Sequence, residues 1–170
     1  VVGANSSIST EIISVFEKNK YDVISAYRNV PEDAIKAIKY SVSADGGLQI
    51  TNESFLEKLD AVVFCLGRLI GKSIADYTND EIEETFDANI ITVSKFVKLL
   101  LPKLNNNSSV VFISSISASA GSYDEIYSAS KSALYGLTKS LAKNTINGIR
   151  FNCVSPSLIR NTRMYDTFKS

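Results

Sequence analysis

Apolar residues gather in short runs at Val23 to Ala26, Ile38 to Val42, Ala61 to Leu66, Val110 to Ile113 and Phe151 to Val154. Runs of this length, rich in β-branched residues and continuous rather than alternating, predict strands covered on both faces, as in a parallel sheet. Between them the apolar positions fall at helical spacing, over Ile8 to Glu17, Glu53 to Leu59, Glu81 to Leu104 and Ile126 to Lys143. Strand and helix alternate, which predicts an α/β fold: a doubly wound parallel sheet with right-handed crossovers. Asp45-Gly46-Gly47 reads as a turn, and Pro31 to Lys39 is too short to assign.

No repeat, low-complexity tract or linker divides the 170 residues, so one domain over residues 1–170 is expected. The chain opens without Met and stops at Ser170 in a polar segment, so it reads as part of a longer chain, incomplete at both ends. Hydrophobic residues make up 45% and charged ones 21%, enough for a buried core. Eighteen basic residues balance eighteen acidic ones, so no global field draws nucleic acid or an anionic membrane, and a partner must be recognised locally. No stretch approaches the roughly 20 apolar residues that span a bilayer, and no signal peptide is marked. With no His, a Ser-His-Asp hydrolase and an ordinary zinc enzyme are excluded, and no metal is expected. Cys65 and Cys153 lie inside apolar runs, which suits buried thiols in a reducing, cytoplasmic compartment.

Three segments carry candidate chemistry. Val2-Gly3-Ala4-Asn5-Ser6-Ser7-Ile8-Ser9 stands where a doubly wound fold places dinucleotide phosphates on a helix N-terminus, whose free N–H groups and dipole favour an anion. Taken alone it is equally an ordinary strand-to-helix turn with a Ser cap. Tyr127 and Lys131, four apart, share one helix face, where a cation stabilises a phenolate. A phenol that works near neutrality needs a shift of roughly 2 units from about 10, or about 2.7 kcal/mol. By itself the same pair also describes a solvated helix face. The third segment, Val110-Val111-Phe112-Ile113-Ser114-Ser115, runs an apolar strand into hydroxyls at the end where such folds bind ligands, so Ser115 can hold a substrate oxygen.

These residues resemble the short-chain dehydrogenase/reductase family. Its Tyr-x-x-x-Lys pair matches Tyr127 and Lys131, followed by the small and apolar Ser132-Ala133-Leu134-Tyr135-Gly136-Leu137. Its strand-end Ser matches Ser115, with Ser114 as the reserve. The helix-interrupting Asn that holds a water in the proton relay matches Asn89, which otherwise reads as polar on an exposed turn. Ile149 to Pro156 is similar to the family's sixth strand, and Thr162 to the Thr that contacts the nicotinamide carboxamide. The departures sit on the cofactor side. Ser7 and Ser9 replace two glycines of the phosphate loop, Phe64-Cys65-Leu66-Gly67 replaces Asn-Asn-Ala-Gly, and Ser157 replaces a turn glycine.

The resemblance implies a nicotinamide enzyme interconverting a carbonyl and an alcohol, with Tyr127, Lys131, Ser115 and Asn89 as its catalytic centre. Gly3, Asn5, Ser7, Ile8, Arg28, Asp45, Gly67, Lys131 and Thr162 would bind the cofactor, Lys131 through the nicotinamide ribose. After the second strand an acid would favour NAD; Tyr27 and Arg28 stand there instead, and a guanidinium favours the 2'-phosphate of NADP. The same Arg is otherwise an exposed residue following a strand. Asp45 is placed to approach the adenine. Apolar residues on more than one face of the two long helices, such as Ile90, Val97, Leu137 and Leu141, predict a homodimer or homotetramer. A non-catalytic binding or sensing member of the same fold and a nucleotide-sugar epimerase or dehydratase are the rivals.

Overall fold

The computed structural model describes residues 1–162, apart from 33 and 44, together with residue 165. After Val2 the chain forms α1 (Ser7–Lys18), β1 (Ser25–Tyr27), β2 (Ala37–Val42), β3 (Leu48–Ile50) and β4 (Leu59–Phe64). It continues with α2 (Asn79–Phe86), a π-helical turn (Asp87–Ile91), α3 (Thr92–Leu100), β5 (Leu104–Ile113), α4 (Ser117–Ala120), α5 (Glu125–Asn144) and β6 (Arg150–Val154). Helix α1 starts where it does because Ser6 and Ser9 form a reciprocal cap.

The pairs β1 with β2, β4 with β5, and β5 with β6 are parallel. Val2 joins the two halves, bridging Ala26 on one side and Phe64 on the other. Its N–H donates to Val63 O and its carbonyl accepts from Cys65 N, both at 2.8 Å. The order is therefore β2, β1, Val2, β4, β5, β6. From Val2 the chain winds outward to β2 and then returns to the opposite side at β4, so the doubly wound fold has its switch point at Val2.

Three expected features differ. The sheet is not parallel throughout: β3 pairs antiparallel with β2, Tyr40 opposite Ile50, because the five residues between them are too few for a crossover. The helix expected over Glu53 to Leu59 is only a 3-10 turn, Glu53–Phe55. Asn52 and Lys58 are both left-handed, at φ 54° and 55°, and Leu59 already belongs to β4. The helix expected over Glu81 to Leu104 is broken by the π-helical turn and ends in a 3-10 turn at Leu101–Lys103, where Pro102 cannot continue an α-helix.

Phe112 stacks on Phe64 with centroids 5.1 Å apart, and Phe96 meets Tyr40 edge-on at 5.0 Å. Val93, Val97, Leu100 and Leu134 join this cluster, with Ile90, Leu137 and Leu141 packed against it. Much of the apolar surplus expected to seek a partner is thus used inside the chain. Helix α5 packs against α2, the π-helical turn and β6, which carries Tyr127 toward the strand ends.

Candidate active site

At the switch point the strand ends open into a crevice of about 730 Å³, within the usual size of small-molecule and cofactor sites. Gly3, Asn5, Ser7, Ile8 and Arg28 line one end of it. Gly67, Ser115, Tyr127, Lys131 and Thr162 line the other. Ten of the twelve residues singled out in the sequence therefore meet in one cleft; Asn89 and Asp45 do not line it.

Lys131 is 3% exposed, and its Nζ donates to Leu66 O at 2.8 Å and to Ile113 O at 3.0 Å. Burial lowers its pKa from 10.5 to about 8. Gly67 makes the approach possible: a Cβ there would stand 3.1 Å from Nζ. Phe64-Cys65-Leu66 changes side chains relative to the family pattern, yet the Leu66 carbonyl still receives Lys131. Tyr127 is buried, and its hydroxyl shares the cleft with Ser115, whose Oγ accepts from Ser117 N at 3.2 Å. Ser114, the reserve for that role, turns its Oγ to Lys131 O at 3.0 Å.

The expected lowering of the Tyr127 pKa by Lys131 does not operate in the chain by itself. Burial dominates and raises the phenol pKa, the nearby Ser115 hydroxyl lowers it in part, and the Asp124 charge raises it. The Lys131 ammonium bonds two strand-end carbonyls, and at about 8 it loses its charge before the raised phenol ionises.

Asn89 is fully buried in the π-helical turn, not on an exposed one. Its Nδ2 donates to Arg68 O at 3.0 Å and to Ser130 Oγ at 2.8 Å, and its Oδ1 accepts from Arg68 N at 2.6 Å. The carboxamide thus ties α2 and α3 to the loop after β4.

At the other end, Ser9 turns inward with no exposure and donates to Ser6 O at 2.7 Å. Its hydroxyl serves the helix cap, which accounts for one of the two replaced glycines. Ser7 is exposed on the crevice wall, in the first turn of α1, where N–H groups lack intrahelical partners. Gly3 at φ +83° tolerates no side chain, since a Cβ would lie 3.0 Å from Cys65 C and Leu66 N. Arg28 stands over the Tyr40 ring at 6.0 Å, with its Nη2 3.9 Å from Asp87 Oδ2. A dinucleotide fits this wall, with anion-seeking N–H groups at α1 and a cation at Arg28. Asp45, expected to approach the adenine, does not line the cleft. Its carboxylate folds back onto Ser43 Oγ and onto Gly47 N at 3.1 Å, closing the β2 to β3 turn. Thr162 donates to Ile159 O at 2.8 Å and accepts from Tyr165 N.

A family model described as enoyl-(acyl carrier protein) reductase matches residues 3–170. The chain belongs to the short-chain dehydrogenase/reductase family. It is 28% identical to an uncharacterized oxidoreductase of Staphylococcus aureus, over 94% of this chain and 76% of that protein. It is 31% identical to a 1,2-dihydroxy-1,2-dihydronaphthalene dehydrogenase of Ralstonia, over 92% of this chain and 67% of that one. Its fold matches the crystal structure of a short-chain dehydrogenase/reductase from Brucella melitensis with a TM-score of 0.84 at 24% identity, covering 98% of this chain and 74% of that one. It is an NAD(P)-dependent dehydrogenase/reductase.

Within this short-chain dehydrogenase/reductase site, two contributors were not singled out in the sequence. Ser130 has no exposure and accepts the Asn89 amide. Asp124 caps α5, its Oδ1 accepting from Tyr127 N at 2.8 Å. An Asp just ahead of a helical run is a readable cap signal; its further bonds reach residues that no local pattern connects to it. Among the described residues no cluster could hold a metal ion, and no helix is long and apolar enough to cross a membrane.

Proposed function

We propose that this enzyme is an NADP-preferring oxidoreductase that interconverts a carbonyl and an alcohol on a small molecule. The observation that carries the reading is the meeting of Tyr127, Ser115 and Lys131 at one end of a cleft whose other end holds Arg28 and the α1 N-terminus. The nicotinamide supplies or accepts the hydride when bound. Tyr127, held as a neutral phenol, gives its proton to the carbonyl oxygen in the reductive direction. Ser115 orients that oxygen. Lys131 keeps one N–H beyond its two carbonyl bonds for the nicotinamide ribose. Asn89 holds the loop that Lys131 leans on and supports a water path to solvent. Asn5, Ser7, Ile8 and Arg28 serve the phosphates, with Gly3, Gly67 and Thr162 shaping the bed.

The Ralstonia relative's name suggests a secondary alcohol on a ring as a starting substrate class. Exposed Ile91, in the π-helical turn, and Leu101, in the 3-10 turn after α3, favour a homodimer or homotetramer, and the two unpaired cysteines suit the cytoplasm.

The test is a screen of ketones and cyclic alcohols followed at the reduced nicotinamide absorbance band. Tyr127→Phe should lower turnover about 100-fold or more with NADPH affinity nearly unchanged. Tight NADPH binding without turnover on any substrate would favour a binding or sensing member of the family. Equal activity in Tyr127→Phe would remove the acid role.

A further inference from the structure

Resting on that reading, we infer that Asp124 is a positioning residue. It locks the segment between β4 and α2 onto the start of α5, and so fixes where the Tyr127 hydroxyl stands in the cleft. Asp124 has no solvent exposure. Capping α5 needs only one acceptor, and Oδ1 meets that need through Tyr127 N. The remaining bonds go elsewhere. Gly71 N donates to Oδ2 at 2.8 Å, and the Tyr77 hydroxyl lies 2.9 Å from Oδ1 and 2.8 Å from Oδ2. These partners are 53 and 47 residues away in sequence, on a segment whose first residues, Gly67, Arg68 and Leu69, line the cleft. A buried carboxylate is costly unless its oxygens are fully bonded, and a Ser would cap the helix without that cost.

Neighbouring geometry agrees. Gly71 takes φ +83°, and a Cβ there would meet the Tyr123 hydroxyl at 3.0 Å. Glu125 adds a second rung, its Oε2 accepting from Ile74 N at 2.9 Å. The near end of the same segment is held by Asn89 on the Arg68 backbone. The strip whose start lines the same cleft as Tyr127 is therefore pinned at both ends, and Asp124 joins its far pin directly to the backbone of Tyr127.

Asp124→Ser keeps a cap acceptor for α5 but is too short to reach Gly71 and Tyr77. Tyr77→Phe removes one rung and leaves the cap untouched, which keeps the test open if the first variant folds poorly. Steady-state reduction with NADPH, and hydrogen exchange of the peptide spanning residues 67–78, are measured on both. Asp124→Ser should lower kcat about tenfold, leave the KM for NADPH within about threefold and speed exchange in that peptide. Tyr77→Phe should move both readouts the same way by less, and the double variant should lose no more kcat than Asp124→Ser alone. Unchanged exchange shows that there is no clamp. Faster exchange with unchanged kcat shows a clamp that positions nothing. Either result overturns the inference. An unsubstituted protein that turns over no substrate would remove the functional reading and the positioning role together, and exchange would still report separately on the clamp.

Discussion

At the Tyr127 end of the cleft, Lys131, Asn89, Ser130 and Asp124 are almost completely enclosed, each tied by its side chain to other elements of the fold. At the Arg28 end, the Arg28 side chain is 53% exposed and its carboxylate contact, Asp87, stands at 3.9 Å and is shared with Lys95 at 3.6 Å. The first end works by fixed geometry in a dry environment, where electrostatic interactions are strong and misplacement is costly. The second works by charge at the surface, where a pair is worth at most about 1 kcal/mol and is screened by salt. A single substitution should therefore be felt far more at the first end than at the second.

The largest expected effect is at Lys131. Lys131→Met should lower turnover about a thousandfold, within the range for acid and base groups. It should also change stability with a definite sign. The folded state lowers the Lys131 pKa from 10.5 to about 8, so the unfolded chain binds the proton more tightly. The buried ammonium costs stability in full below about pH 8, and that cost fades as pH rises toward 10.5. By linkage the difference is on the order of 3 kcal/mol. The unsubstituted protein should therefore gain melting temperature relative to Lys131→Met between pH 7.5 and 9.5. The Val1 amine titrates in both proteins and largely cancels in that comparison, whereas the Cys65 and Cys153 thiols feel the Lys131 charge and shift with it. A melting-temperature difference that does not vary with pH would mean that Lys131 is better solvated than its burial implies.

The same contrast governs how much could be read from the sequence. Tyr127, Lys131 and Ser115 were legible because helix spacing and an apolar run ending in hydroxyls are local signals. The aim of Lys131 was not, since its acceptors Leu66 and Ile113 arrive from two other strand ends, 65 and 18 residues away. The π-helical turn around Asn89 does not show in the apolar spacing, which one wide turn barely disturbs; only the resemblance to a helix-interrupting Asn pointed to a break there. Strand β3 is three residues long and offers no run to detect, so its antiparallel pairing was missed although its turn was seen. Asp45 follows a strand as expected, but the turn of the chain brings Ser43 Oγ and Gly47 N onto its carboxylate.

A smaller effect is expected at Arg28. On the proposed NADP preference, in which the guanidinium serves the 2'-phosphate, Arg28→Ala should weaken NADPH binding about tenfold and NADH binding by less than about twofold. Raising ionic strength should erode the preference of the unsubstituted protein, as expected of a charge this exposed. Fluorescence titration of both cofactors at low and high salt measures it, and equal affinities in the unsubstituted protein would remove Arg28 as the selector.

The smallest effect, and the one that best separates two accounts of the altered phosphate loop, is at Ser7. The two serines that replace glycines have parted company in the fold: Ser9 is buried in the cap, whereas Ser7 projects from the first turn of α1 onto the cleft wall. If the Ser7 side chain merely takes up room, removing its hydroxyl should leave NADPH binding unchanged or improve it. If the hydroxyl donates to a phosphate, Ser7→Ala should weaken NADPH binding about fivefold, the value of one hydrogen bond of about 1 kcal/mol. We expect the weakening, because the site is exposed enough for a small side chain to turn and because the N–H groups beside it already draw an anion there. The change should reach NADH equally, since both cofactors carry the same pyrophosphate. A loss confined to NADPH would instead place the Ser7 contact at the 2'-phosphate.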